Sequence, residues 1–251
     1  FSPASVPGAG SRPATGSLEA YQLATEARGL YALGRFSEAQ ALLRKATALD
    51  ARYALAWALL AKTNARLLSP AVASGRPAPE ALKATLDEAT TAVALDPTSV
   101  EGHLALALAY RGLKDRARMQ ASANRAATLD PRRGEARILL GDAMSISPGF
   151  GCPTSSQPAA AEETYREGLR LDPLNGTAYL SLTTLRWWMG RRVDALAAID
   201  EGLAAQPENV VLTATRPFNL VFADRLDEAD ALLKRRVASG ASLTPLEDLT
   251  L

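Results

Sequence analysis

Along most of this chain, apolar residues recur three or four positions apart, the spacing that gathers side chains on one face of an α-helix. His103, Leu106, Ala107 and Tyr110 form one such run, and Tyr179, Leu182 and Thr183 begin another in the same frame. The helical stretches also close alike. "KATALDARY", "TAVALDPTS", "RAATLDPRR", "EGLRLDPLN" and "EGLAAQPEN" each end an apolar helix, and all but the last follow it with an aspartate. Pro97, Pro131, Pro173 and Pro207 are separated by 34, 42 and 34 residues, and Ala51 holds the place of proline in the first copy, 46 residues before Pro97. A unit of 34 residues with insertions of 8 and 12 accounts for every interval.

With the closing proline at position 32, the units begin near Ala20, Ala54, Val100, Gly134, Gly176 and Val210. Small residues then recur where two helices must approach. Position 8 is Ala27, Ala61, Ala107, Gly141 and Thr183, then Pro217; position 27 is Ala46, Ala92, Ala126, Gly168 and Gly202, then Arg236. Position 20 is Ala39, Thr85, Met119, Ala161, Ala195 and Ala229. Inside the unit, "LGRFSEA" predicts that Gly34 ends one helix and Ser37 opens the next with Glu38 in its first turn; "MGRRVDA" repeats this around Gly190. One hairpin buries only part of its apolar face, so neighbours must stack on it. The pattern predicts an all-α solenoid of about six helical hairpins, at 20–53, 54–99, 100–133, 134–175, 176–209 and 210–240. The sixth unit departs most, and Pro217 is expected to kink its first helix. Residues 1–18 read as a flexible Pro/Ala/Ser/Gly tether. A tail at 241–251 is expected to cap the end with Leu246, Leu249 and Leu251.

The strings "YALGRFSEAQALLRKATALD", "LALALAYRGLKDRARMQASANRAATLDP" and "YLSLTTLRWWMGRRVDALAAIDEGLAAQP" carry a resemblance to the tetratricopeptide repeat over residues 20–240. The resemblance implies a right-handed superhelical solenoid whose first helices line a concave, peptide-binding face. The opening stretch "GSLEAYQLATEARGLYALGRFSEAQALLRKATALDARYALAWALLA" also resembles repeat regions that follow a membrane span in bacterial regulators and signalling proteins. Together with the tether, it sets the expectation of an exported, extracytoplasmic module; the opening Phe1 fits either a signal or membrane segment upstream or excision from a longer protein.

Helical geometry turns positions 2, 5, 9, 12 and 13 toward the inner face. The candidate partner-binding residues are Tyr21, Arg28, Tyr31, Lys62, Arg66, Leu108, Asp142, Thr184, Trp187, Trp188, Phe218 and Phe222. The early part of this surface is basic and aromatic, the late part apolar. Arg28, Lys62 and Arg66 are expected to meet an acidic feature of a partner, with Trp187, Trp188 and Phe222 as apolar anchors. A clamp for a chain-terminal carboxylate is not expected, because the necessary asparagines are missing and Glu101 opposes the charge. Two longer connections, "LLSPAVASGRPAPE" and "SISPGFGCPTSSQPA", are expected to loop out on one edge, with Phe150 and Cys152 in the second.

Composition narrows the function. The 251 residues carry 28 Lys plus Arg against 27 Asp plus Glu, which leaves no net field to gather nucleic acid. No uninterrupted apolar run is long enough to span a bilayer. His103 is the only histidine and sits at a packing position; Cys152 is the only cysteine, so a Cys/His zinc site cannot be assembled. Asp50, Asp96, Asp130 and Asp172 all fall at position 31, a turn role rather than a paired-carboxylate site. The reading is a non-catalytic scaffold or adaptor for a protein or peptide, without metal or cofactor. A docking module of a larger enzyme and a small-ligand sensor are the alternatives.

Overall fold

A computed structural model describes residues 15–73, 78–145 and 157–238. Among them are twelve α-helices in six hairpins: α1 (Leu18–Ala32) with α2 (Phe36–Leu49), α3 (Ala54–Ala73) with α4 (Pro79–Leu95), α5 (Val100–Gly112) with α6 (Arg116–Leu129), α7 (Gly134–Ser145) with α8 (Pro158–Leu171), α9 (Gly176–Trp188) with α10 (Arg192–Ala205), and α11 (Val210–Phe222) with α12 (Leu226–Ala238). The chain divides after Pro131 into two compact units, each of three hairpins. In the first unit α1, α3 and α5 lie side by side, and α2 and α4 each pack on the first helix of the next hairpin. In the second, α7, α9 and α11 neighbour one another, with α8 and α10 filling the same role. Each unit is therefore a short all-α solenoid.

The small residues explain the close approach. Every residue at position 20, from Ala39 to Ala229, is at most 1% exposed. Position 27 is tighter still: a Cβ on Gly168 would stand 2.7 Å from Ile138 Cγ1 and 3.2 Å from the Gly134 carbonyl. At Gly168 no side chain fits where two backbones already meet, while a methyl is accommodated at Ala46, Ala92 and Ala126.

The corners are built from local hydrogen bonds. Ser17, Ser99, Asn175 and Asn209 cap first helices, accepting from the N–H of Ala20, Gly102, Ala178 and Leu212 at 3.1–3.2 Å. Asp50 Oδ1 and Asp96 Oδ1 accept from the N–H of Arg52 and Thr98 at 2.9 Å, which is the local turn bond that fits their recurrence. Thr15, at the end of the expected tether, is buried and donates to Asp50. Position 4 adds a longer reach: Trp57 Nε1 donates to the Ala51 carbonyl at 3.0 Å, His103 Nε2 to that of Pro97 at 3.0 Å, and the Tyr179 hydroxyl to that of Pro173 at 3.4 Å.

Two expectations are corrected in detail. The second helix of the first hairpin begins at Phe36, not Ser37, and Arg35 takes the cap position, bonded to Glu38 at 2.6 Å. Arg191 with Asp194 and Arg225 with Glu228 repeat this clasp at 2.6 Å. The insertion in the second hairpin goes largely into helix. There α3 has 20 residues, against 12–15 for the other first helices. The helix α11 runs on through Pro217. Phe150, Cys152 and the tail leucines Leu246, Leu249 and Leu251 lie outside the described residues.

Candidate functional site

In the second unit, α9 and α11 present their neighbouring faces across a cavity of about 390 Å³. Its wall carries Leu180, Thr183, Thr184, Trp187 and Trp188 from α9, and Thr215, Phe218, Asn219 and Phe222 from α11. The aromatic side is self-supporting. Trp187 meets the edge of Phe222 with centroids 5.8 Å apart, and Phe222 leans on Phe218 at 4.5 Å. The Trp187 indole N–H donates to Asn219 Oδ1, while Asn219 Nδ2 donates to the Thr215 carbonyl at 2.9 Å. Asn219 is itself only 4% exposed, so it fixes the indole from beneath. Trp188 and Phe222 stand at the mouth, 51% and 52% exposed.

The structure thus gathers five of the residues singled out from sequence (Thr184, Trp187, Trp188, Phe218 and Phe222) around one cavity. Thr183, Thr215 and Asn219 were not among them. Thr183 sits at a small-residue packing position, and nothing in the pattern marks Asn219 as the partner of an indole one helix away.

The support behind this wall is charged. Arg186, on α9 and 2% exposed, donates to Glu162 Oε1 from Nε and Nη2 at 3.1 and 3.0 Å. Its Nη1 donates to the Asp194 carbonyl at 2.8 Å. Arg191 Nη1 meets Glu162 Oε2 at 2.5 Å, and Arg166 Nε lies 3.4 Å from Oε1. Burial pushes the Glu162 carboxyl up, but the bonds and charges of Arg186 and Arg191 outweigh it and hold the group below its ordinary value. One carboxylate therefore ties α8, α9 and the turn before α10 together.

Asp142 is placed differently from an open groove residue. It is 3% exposed, and its Oδ1 accepts from the Tyr165 hydroxyl at 2.7 Å and from Ser181 Oγ at 3.0 Å. Position 9 of α7 faces the ring of α8 rather than solvent. Burial first, and then the charge of Asp142, push the Tyr165 hydroxyl well above its ordinary range. This is a structural tie between α7, α8 and α9.

In the first unit the remaining candidates separate. Tyr21 and Arg28 are exposed on α1. Tyr31 packs edge-on against Phe36 with centroids 5.2 Å apart, and its hydroxyl accepts from Arg66 Nε at 3.1 Å. Lys62 is buried, with its ammonium 5.9 Å from the Tyr31 ring and donating to Glu101 Oε2 at 2.7 Å. The charge expected to greet an acidic partner is met by the chain's own Glu101, because α5 packs directly on α3. Leu108 is 2% exposed and lines a cavity of only about 50 Å³ with Leu68, Leu82 and Gly112.

Among the described residues, no group of three or more His, Cys, Asp and Glu could hold a metal ion. The histidine is engaged as well: a carbonyl only accepts, so the bond to Pro97 places the hydrogen of His103 on Nε2. Among the described residues no helix is long and apolar enough to cross a membrane.

No protein-family model matches the chain, and no curated protein matches it. Solved structures do. A thermophilic TPR protein of Thermus thermophilus superposes with a TM-score of 0.65 at 21% identity, over 80% of this chain and 99% of that one. PilW, described as a widely conserved type IV pilus biogenesis factor, gives 0.63 at 16% identity over 93% and 98%. PilF of Pseudomonas aeruginosa gives 0.56 at 21% identity over 87% and 90%.

Proposed function

We propose that this chain, which has the tetratricopeptide-repeat fold, is a non-catalytic scaffold that holds a protein partner, and that the cavity between α9 and α11 is its anchor site. The fold is that of proteins that work as interaction scaffolds. The observation that carries the assignment is the half-open cavity of about 390 Å³ with four aromatic rings around it. Trp188 and Phe222 leave about half of their surface to solvent at the rim of that cavity. Aromatic side chains held rigid at the rim of a desolvated pocket are the usual carriers of interface energy.

A sensor for a small ligand would enclose most of that ligand's surface. Here the mouth is formed by two half-exposed rings, which favours a partner laid across it. PilW is described as a type IV pilus biogenesis factor, and a pilus-assembly protein is the first class of partner to try; an extracytoplasmic setting is proposed separately, from the resemblance of the N-terminal sequence.

The test is retention of partners from native extract by the wild-type chain and by a Trp188→Ala/Phe222→Ala variant. Loss of one well-placed aromatic anchor is worth about 2 kcal/mol, roughly thirtyfold in affinity. A partner held equally well by the variant, with its circular dichroism unchanged, would remove this cavity as the anchor site.

A further inference from the structure

The wall of the cavity also restricts what can enter it, on the premise that it is the anchor site just proposed. None of the nine residues that line it carries a charge. Its hydroxyls are committed within the chain. Thr183 Oγ1 donates to the Ala195 carbonyl at 3.3 Å, Thr184 Oγ1 to Leu180 at 2.9 Å and Thr215 Oγ1 to Val211 at 2.6 Å. The Trp187 indole is spent on Asn219, and the Asn219 amide nitrogen on Thr215.

An extended segment pressed against such a wall would strip water from its peptide carbonyls and find few donors in exchange, which is unfavourable. A helix brings no such demand. Its peptide groups bond to one another, and side chains three or four residues apart project from one face. The open mouth between Trp188 and Phe222 lets a helix lie across it while its side chains fill the volume beneath. Charge complementarity points the same way, because an ionised side chain moved onto an uncharged wall loses its hydration without gaining a partner. We propose that the occupant is an amphipathic α-helix of a protein partner, which inserts two uncharged apolar side chains, one helical turn apart, between α9 and α11.

Two displayed peptide libraries of equal size separate the possibilities. One presents 16-residue helices with randomised apolar positions; the other presents 16-residue segments with proline at every fourth position, which cannot form a helix. Both are selected on the full chain and counter-selected on Trp188→Ala/Phe222→Ala. The expected result is enrichment from the helical library alone, with binders that weaken at least tenfold on the variant and at least tenfold when a central residue is changed to proline. Enrichment from the proline library, with the same dependence on Trp188 and Phe222, would overturn the helical occupant and leave the anchor site standing. If neither library yields variant-sensitive binders, the peptide-binding reading fails together with the inference.

Discussion

Replacing Glu162 by alanine tests whether the ionic support behind α9 governs the stability of the second unit. The carboxylate is the common acceptor for Arg186 and Arg191, with side-chain exposures of 11% for Glu162 and 3% for Arg186. Without it, Arg186 keeps only the Asp194 carbonyl, and a guanidinium shut away from water remains without a counter-charge. Removing one partner of a buried pair costs about 3–5 kcal/mol. Arg191 adds little to that figure, being 39% exposed and separately paired with Asp194. With a urea m-value of about 2 kcal/mol/M, the unfolding midpoint of the second unit should fall by about 1.5–2.5 M. Far-UV circular dichroism during urea titration reads it.

The double variant Glu162→Leu/Arg186→Met removes both charges and should recover much of the loss, since the penalty comes from the orphaned cation. The pH dependence has a defined sign. The Glu162 carboxyl is held below its ordinary value of 4.5, so its contribution is present above that pH and disappears as pH falls through the folded-state value. The wild-type chain should therefore lose more stability than Glu162→Leu/Arg186→Met on acidification below 4.5. A Glu162→Ala midpoint within about 0.5 M of wild type, or a double variant weaker than the single, would refute the reasoning.

Two further outcomes follow from packing. Gly168→Ala should destabilise by about 1–3 kcal/mol, because its methyl would meet Ile138 at 2.7 Å between two backbones. Gly29→Ala, within α1 and with nothing inside 4 Å, should instead stabilise by about 0.8–1 kcal/mol through helix propensity. Thermal unfolding of the pair gives opposite signs, or the register assigned to the small residues is at fault. Tyr165→Phe takes a donor from buried Asp142 and an acceptor from Ser145, and should cost about 1–3 kcal/mol by denaturant titration. No measurable change would mean that the remaining bonds of that carboxylate satisfy it.

The fold was readable because its determinants are periodic. Proline at the corners, small residues at positions 8, 20 and 27, and the turn aspartates repeat whenever two helices meet in the same way. The cavity between α9 and α11 was readable in part for the same reason: helical phase alone brings Thr184, Trp187, Trp188, Phe218 and Phe222 toward one side. Pairing between helices was not. That Glu101 neutralises Lys62, that Asp142 is closed over by Tyr165, and that Asn219 seats Trp187 each depend on the offset between adjacent helices. A pattern along one chain segment contains no measure of that offset. The insertion in the second hairpin was misread because a Pro/Gly/Ser-rich stretch resembles a loop even where the preceding helix runs into it, as α3 does to Ala73.

Indole, imidazole and phenol perform one task at the corners before α3, α5 and α9, each handing a hydrogen to the carbonyl six residues earlier. At these three corners the slot is filled by a flat ring with a proton at its far end, whereas Arg137 and Thr213 hold it at the corners before α7 and α11. Substitution among tryptophan, histidine and tyrosine can therefore proceed there with the corner unchanged, while phenylalanine, closest to tyrosine in shape, would leave the carbonyl unserved. Two chains of this architecture can thus share the joint and disagree on every letter that makes it.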